Sequence, residues 1–167
     1  MTMFKQIPKT AISDFPFIKE IDFPKLAELL ETNCETIVRP AGRERDIEDI
    51  RLALISSGAN NVWLQGEEGV GKSAVLCGLL HRIALREVTS YLLSKRIFVF
   101  DTNTFFRTSR TEIFAKFDQV IKFLAGINSI LIIERIDDFI NLVGNDAGYF
   151  INCLTDYDSF SDTEQHL

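Results

Sequence analysis

The sequence is poor in cysteine. Its three, Cys34, Cys77 and Cys153, are odd in number and widely scattered, which leaves no disulfide framework and suits a reducing compartment. Basic charge is in deficit: 18 Lys and Arg stand against 24 Asp and Glu, a formal net charge of −6. That balance argues against broad nucleic-acid binding, which needs a basic surface to displace counterions. Arg39, Arg43 and Arg45 form a local basic cluster, read as charges that solvate a helix face. Histidine is scarce, at two residues. Cys77 and His81 lie one helical turn apart, but zinc wants four donors, so the pair is read as packing residues. No apolar run approaches the ~20 residues of a membrane span. No apolar stretch follows the N-terminal lysines as a signal peptide requires. A cytoplasmic protein with neither nucleic acid nor membrane as partner is the expectation.

What is present is a core. Of the 167 residues, 46% are apolar and fourteen are Phe, enough for one globular domain. Residues 1–21 carry Pro8, Asp14 and Pro16 without steady periodicity and read as an extended lead-in. Residues 22–155 read as the folded domain, and 156–167 as a polar tail. "PKLAELLET" from Pro24 suits a helix with proline just inside its start. In "RERDIEDIRLALI", Ile47, Ile50, Leu54 and Ile55 recur at helical spacing. A short apolar strand is predicted at 62–65 ("VWLQ"), followed by a Gly-rich turn and a helix from about Lys72 to Glu87. Buried strands are predicted at 96–101 ("RIFVFD") and 129–134 ("SILIIE"). Between them, a helix over 111–125 puts Ile113, Phe114, Phe117, Ile121 and Leu124 on one side. A further short helix is predicted at about 146–155. Strands alternating with helices of this length imply crossovers and a mainly parallel α/β sheet.

"GEEGVGKS" is Gly66-Glu67-Glu68-Gly69-Val70-Gly71-Lys72-Ser73, a full match to the phosphate-loop pattern G-x-x-x-x-G-K-[ST], or Walker A. Gly66, Gly69 and Gly71 let the backbone wrap closely around phosphate, using dihedrals that a Cβ would forbid. Exposed N–H groups and the following helix N-terminus form a positive nest for phosphate oxygens. Lys72 adds a mobile charge, and the Ser73 hydroxyl is placed for Mg²⁺. Glu67 and Glu68 are expected to face solvent, since carboxylates turned inward would weaken an anion site.

With the loop placed, "AGRERDIEDI", "NNVWLQGEEGVGKSAVLCGLLHRI", "IFVFD", "ILIIE" and "NDAGYFINCL" together resemble the first nucleotide-binding module of Clp-type AAA+ unfoldases, the ClpB, ClpA and ClpV group. The likeness runs from about residue 22 to 155. It implies a P-loop NTPase fold of AAA+ type: a parallel sheet flanked by helices, incomplete on its C-terminal side. It implies ATP and Mg²⁺ as cofactors, and other AAA+ subunits as partners in a homo- or hetero-oligomer. Pro40 and Ala41 occupy the turn that contacts adenine in the family, and Gly42-Arg43 matches its Gly-Arg pair. Gly66 to Ser73 carry over as phosphate and metal residues. The "DAG" at 146–148 also has a family counterpart.

Three departures bear on function. The family ends the third strand on Asp-Glu, the Walker B acids, which support Mg²⁺ and polarise the attacking water. Here Glu134 stands at the Asp position, where one extra methylene still permits a water-mediated metal contact. Arg135 stands at the base position, and a permanent cation accepts no proton. Losing a positioned base removes on the order of 10²–10⁴ in rate. Asp137 or Asp138 could substitute from the next turn, but a helix would put them several ångströms away. Next, the family's aromatic pore loop has no evident equivalent: the region reads "TNTFFRTSRTEIF", where Phe105 and Phe106 read as core side chains. Last, the fourth strand that lies between the first and third in the AAA+ arrangement is not evident. Either strands one and three close directly, or further polypeptide fills the slot.

These features imply an ATP-binding AAA+ module of Clp chaperone type, impaired in hydrolysis and acting as an assembly or regulatory subunit. One alternative is an active ATPase and unfoldase fragment completed by further chain or a partner. Another is an interaction protein that keeps the fold without nucleotide.

Overall fold

The structure is a computed structural model that describes residues 10–32, 42–56, 61–107 and 110–155. In chain order the first elements are helix α1 (Thr10–Ser13), strand β1 (Ile18–Glu20), and helices α2 (Phe23–Thr32), α3 (Glu44–Ile55), α4 (Lys72–Ala84) and α5 (Ser90–Leu93). Strand β2 (Arg96–Phe100), helices α6 (Thr102–Phe106) and α7 (Arg110–Ala125) and strand β3 (Ser129–Ile133) follow. Helices α8 (Ile136–Val143) and α9 (Ala147–Thr155), joined by a 3₁₀ turn, complete the order. The chain divides into two compact units, Met1–Ile21 with Arg96–Leu167, and Asp22–Lys95.

The first unit holds the sheet, in the order β1-β2-β3. Strands β2 and β3 run parallel, from Arg96 opposite Ser129 to Phe100 opposite Ile133. Strand β1 pairs with β2 antiparallel, Ile18 opposite Phe100, so the sheet is mixed. The antiparallel edge comes from the segment read as an extended lead-in, where three residues are too few for a period-2 signal. Arg96 pins that edge, donating from Nε and Nη2 to the two Glu20 carboxylate oxygens at 2.6 Å each. The bidentate fork adds geometric specificity to the pairing.

Aromatic rings fill this unit. Phe17, Phe98, Phe100, Phe105, Phe117, Phe139 and Phe150 are buried. Phe117 meets Phe150 edge-on at 4.8 Å between ring centroids, and Phe100 lies 5.1 Å from Phe105. Such pairs add about 0.5–1.5 kcal/mol beyond their burial. Helix α7 presents Ile113, Phe117, Val120, Ile121 and Leu124 to the core. Phe114, predicted on the same side, is exposed and stacks on Phe150 at 5.2 Å. Phe105 is fully buried and Phe106 packs against the same core, the role the sequence assigned to both.

In the second unit α2 and α3 pack on α4. Ile47 and Ile50 from α3 and Val75, Leu79 and Ile83 from α4 are buried, each burial contributing about 1.5–3 kcal/mol. Helix α4 ends at Ala84, a turn short of the predicted Glu87.

The strand predicted at 62–65 is not formed. Among the described residues none pairs with this segment, and Val62, Trp63 and Leu64 are 37%, 51% and 37% exposed. An apolar tetrapeptide becomes a strand only where a neighbour completes its ladder. The mainly parallel sheet expected from the sequence is therefore one parallel pair with an antiparallel edge.

Candidate functional site

The turn into α4 is shaped by glycines. Gly71, the residue before the helix, has φ 93 and ψ 23, a left-handed conformation in which a side chain costs roughly 1–2 kcal/mol. A Cβ at Gly66 would fall 2.8 Å from Val70 Cγ1, so a side chain there would require Val70 to turn away. No side chain caps the first turn of α4, so its leading amides are left to external acceptors and the positive end of the helix dipole is open.

Two cations hold the carbonyl side of the loop. Lys72 Nζ donates to Gly66 O at 2.6 Å and to Glu67 O at 2.9 Å. Arg43 Nη2 donates to Val70 O, and its Nη1 donates to Asp46 Oδ2 at 2.9 Å. Ser73 follows Lys72 and is exposed, as are Glu67, Glu68 and Val70. Beside the loop lies a cavity of about 380 Å³, lined by Arg43, Asp46, Ile50, Gly66, Lys72 and Val75 among others. Aliphatic walls here stand beside two cations, Arg43 and Lys72, and two carboxylates, Asp46 and Asp49, a lining that can take a ligand with one apolar and one charged part.

The structure gathers Gly66 to Ser73 in one turn and brings Arg43 against it, a residue the sequence suggested as part of a basic cluster and as a match to the family's Gly-Arg pair, with no contact to the loop. The Gly-Arg pair with Asp46 three residues on was the available signal. Pro40 and Ala41, the predicted adenine turn, lie outside the described residues, as does Arg39. Arg45 is exposed. Cys77, expected to pack, is exposed on α4. Among the described residues no three His, Cys, Asp or Glu side chains gather as a metal cluster. No described helix is long and apolar enough to cross a membrane.

Glu134 and Arg135 belong to the other unit. Strand β3 stops at Ile133 and Glu134 is exposed. Arg135 adopts φ 54 and ψ 50 immediately before α8. Its Nε lies 2.6 Å from Asp138 Oδ2, and Asp138 N donates back to Arg135 O at 3.0 Å. Asp138 is therefore engaged by Arg135. Asp137 is exposed.

No family model matches the chain. It is 33% identical over 106 residues to chaperone protein ClpD1, chloroplastic, of Oryza sativa subsp. japonica, covering 62% of this chain and 11% of that protein. It is 30% identical over 120 residues to chaperone protein ClpB of Wolinella succinogenes, covering 71% of this chain and 13% of that protein. It is also 30% identical over 135 residues to the ATP-dependent Clp protease ATP-binding subunit ClpA homolog of Porphyra purpurea, covering 78% and 16%. The chain spans between 11% and 16% of the length of these relatives. Among solved structures, the S. cerevisiae Hsp104–ADP complex matches with a TM-score of 0.64 at 22% identity, over 84% of this chain and 24% of that one. At that identity the structural likeness speaks for the fold.

Proposed function

The chain belongs to the Clp-type AAA+ proteins, and on that premise we propose that it binds ATP with Mg²⁺ and hydrolyses it poorly or not at all. The observation that supports binding is the loop: a left-handed Gly71, an uncapped α4 and Lys72 beside a part-apolar cavity. Gly66, Gly69 and Gly71 all have positive φ, the backbone freedom that a loop closing around a phosphate chain requires. Residues Gly66 to Lys72 would hold the β- and γ-phosphates, and Ser73 Oγ would hold Mg²⁺. Pro40 and Ala41 are the proposed adenine turn. Glu134 stands at the position of the family's metal-supporting aspartate and is one methylene longer, a length that suits contact with Mg²⁺ through water.

Impaired turnover follows from Arg135. A guanidinium cannot take the proton of an attacking water, and its ion pair with Asp138 engages one of the two carboxylates that could replace it. A subunit that holds nucleotide without spending it serves a multi-subunit AAA+ assembly as an assembly or regulatory element. The direct test measures phosphate release from ATP·Mg by the native chain and by Arg135→Glu. The native chain is expected to fall on the order of 10²–10⁴ below active relatives. Arg135→Glu is expected to raise the rate when active AAA+ subunits are supplied. Native turnover at the rate of those relatives would overturn the impairment and favour the active-ATPase alternative.

A further inference from the structure

We infer that Arg43 is a positioning residue of the phosphate loop: by gripping the Val70 carbonyl it sets the direction of the Gly71 N–H, and through it the affinity for a polyphosphate. The inference rests on the nucleotide reading above and adds to it a residue that no loop motif contains.

Val70 C=O and Gly71 N–H belong to one peptide plane. In a trans peptide these two groups point opposite ways, and the described chain has no cis bonds. Fixing the carbonyl therefore fixes the amide. The plane needs fixing because glycine visits both signs of φ almost equally, and Gly71 at φ 93 offers little steric resistance to a flip. A flipped plane would turn a carbonyl toward a phosphate in place of a donor.

Arg43 is built to prevent this. One arm of its guanidinium donates to Val70 O and the other to Asp46 Oδ2 at 2.9 Å, so the group is held at two points. It also lies against the glycine itself: a Cβ on Gly71 would sit 3.4 Å from Nη2 and 3.8 Å from Nε. Arg43 directly precedes α3, which anchors the tether in a packed helix. Lys72 has one ammonium and a flexible stem, suited to following a ligand. The planar fork of Arg43 is suited to holding the loop still.

The test titrates ATP·Mg into the native chain, Arg43→Met, Arg43→Lys, Asp46→Asn and Lys72→Ala, with urea unfolding as the check on folding. Arg43→Met removes a charge-assisted hydrogen bond and is expected to weaken binding about ten- to a hundredfold. Arg43→Lys keeps one donor and should recover part of that loss, and Asp46→Asn should show a smaller loss in the same direction. In the ¹⁵N spectrum of Arg43→Met the Gly71 amide is expected to broaden or double, a signature that loss of packing elsewhere would not produce. Native affinity in Arg43→Met, with binding lost in Lys72→Ala, would overturn the role of Arg43 and leave nucleotide binding intact. Absence of binding by the folded native chain would overturn both. Should Arg43→Met not fold, Asp46→Asn decides, and unchanged affinity there overturns the inference.

Discussion

Arg135 holds a backbone conformation that unbranched side chains tolerate poorly and β-branched ones hardly at all. The left-handed region costs roughly 1–2 kcal/mol for a residue with a Cβ. Its ion pair with Asp138 repays little, since the two side chains are 78% and 47% exposed and such pairs are worth about 0–1 kcal/mol. Glycine at this corner would remove the strain and lose the pair, so Arg135→Gly should leave stability within about 1 kcal/mol of the native chain. Arg135→Val should lower it by about 1–2 kcal/mol, because a second γ substituent crowds the left-handed backbone. Urea unfolding of the two variants checks both, and equal stability would mean that the corner is unstrained. Arg135→Glu keeps an unbranched stem, so its effect on turnover is not confounded by the backbone.

At the scale of elements, the short helix α6 (Thr102–Phe106) depends on the residue that precedes it, Asp101. The Thr104 amide donates to Asp101 Oδ1 at 3.0 Å and the Thr104 hydroxyl to Oδ2 at 2.8 Å. These bonds, the amide first, hold the Asp101 carboxyl below the usual carboxylate range. A depressed carboxyl contributes stability that is present above its unfolded pKa, near 4, and is lost as pH falls through the lower folded value. Asp101→Ala should therefore cost about 0.5–2 kcal/mol at pH 7, with the gap narrowing as pH drops below about 4. Unfolding curves at both pH values test this, and a gap that holds constant would remove the cap from the explanation.

Elements of this kind also show what a sequence can carry. Helices α3, α4 and α7 and strands β2 and β3 were legible because each is long or apolar enough to display its own period. Helices α5 and α6, at four and five residues, are too short to do so. Helix α8 does carry a helical period, Ile136, Phe139, Ile140 and Val143, a signal present in the sequence that the expectation of Glu134 and Arg135 as site residues left unused. The strand at 62–65 failed for the opposite reason: its apolar pattern was present, and no described segment pairs with it. In the site, the eight residues from Gly66 to Ser73 were legible because their spacing is local. Arg43 was not, because 27 positions separate it from the carbonyl it holds.

At the scale of the molecule, the phosphate loop sits in the unit Asp22–Lys95 and the Glu134–Arg135 corner in the other. A nucleotide at a hundredfold over its dissociation constant would add about 2.7 kcal/mol to the folded state that binds it, a large share of the 5–15 kcal/mol on which a typical domain stands. Ligand that is held without being turned over can thus act as a structural component. The most direct measurement is calorimetric titration of ATP·Mg into the folded native chain and into Lys72→Ala. Saturable heat at one site per chain, absent in Lys72→Ala, is the expected result. A flat thermogram from well-folded native protein would contradict nucleotide binding, and with it the roles given to Lys72, Ser73 and Arg43.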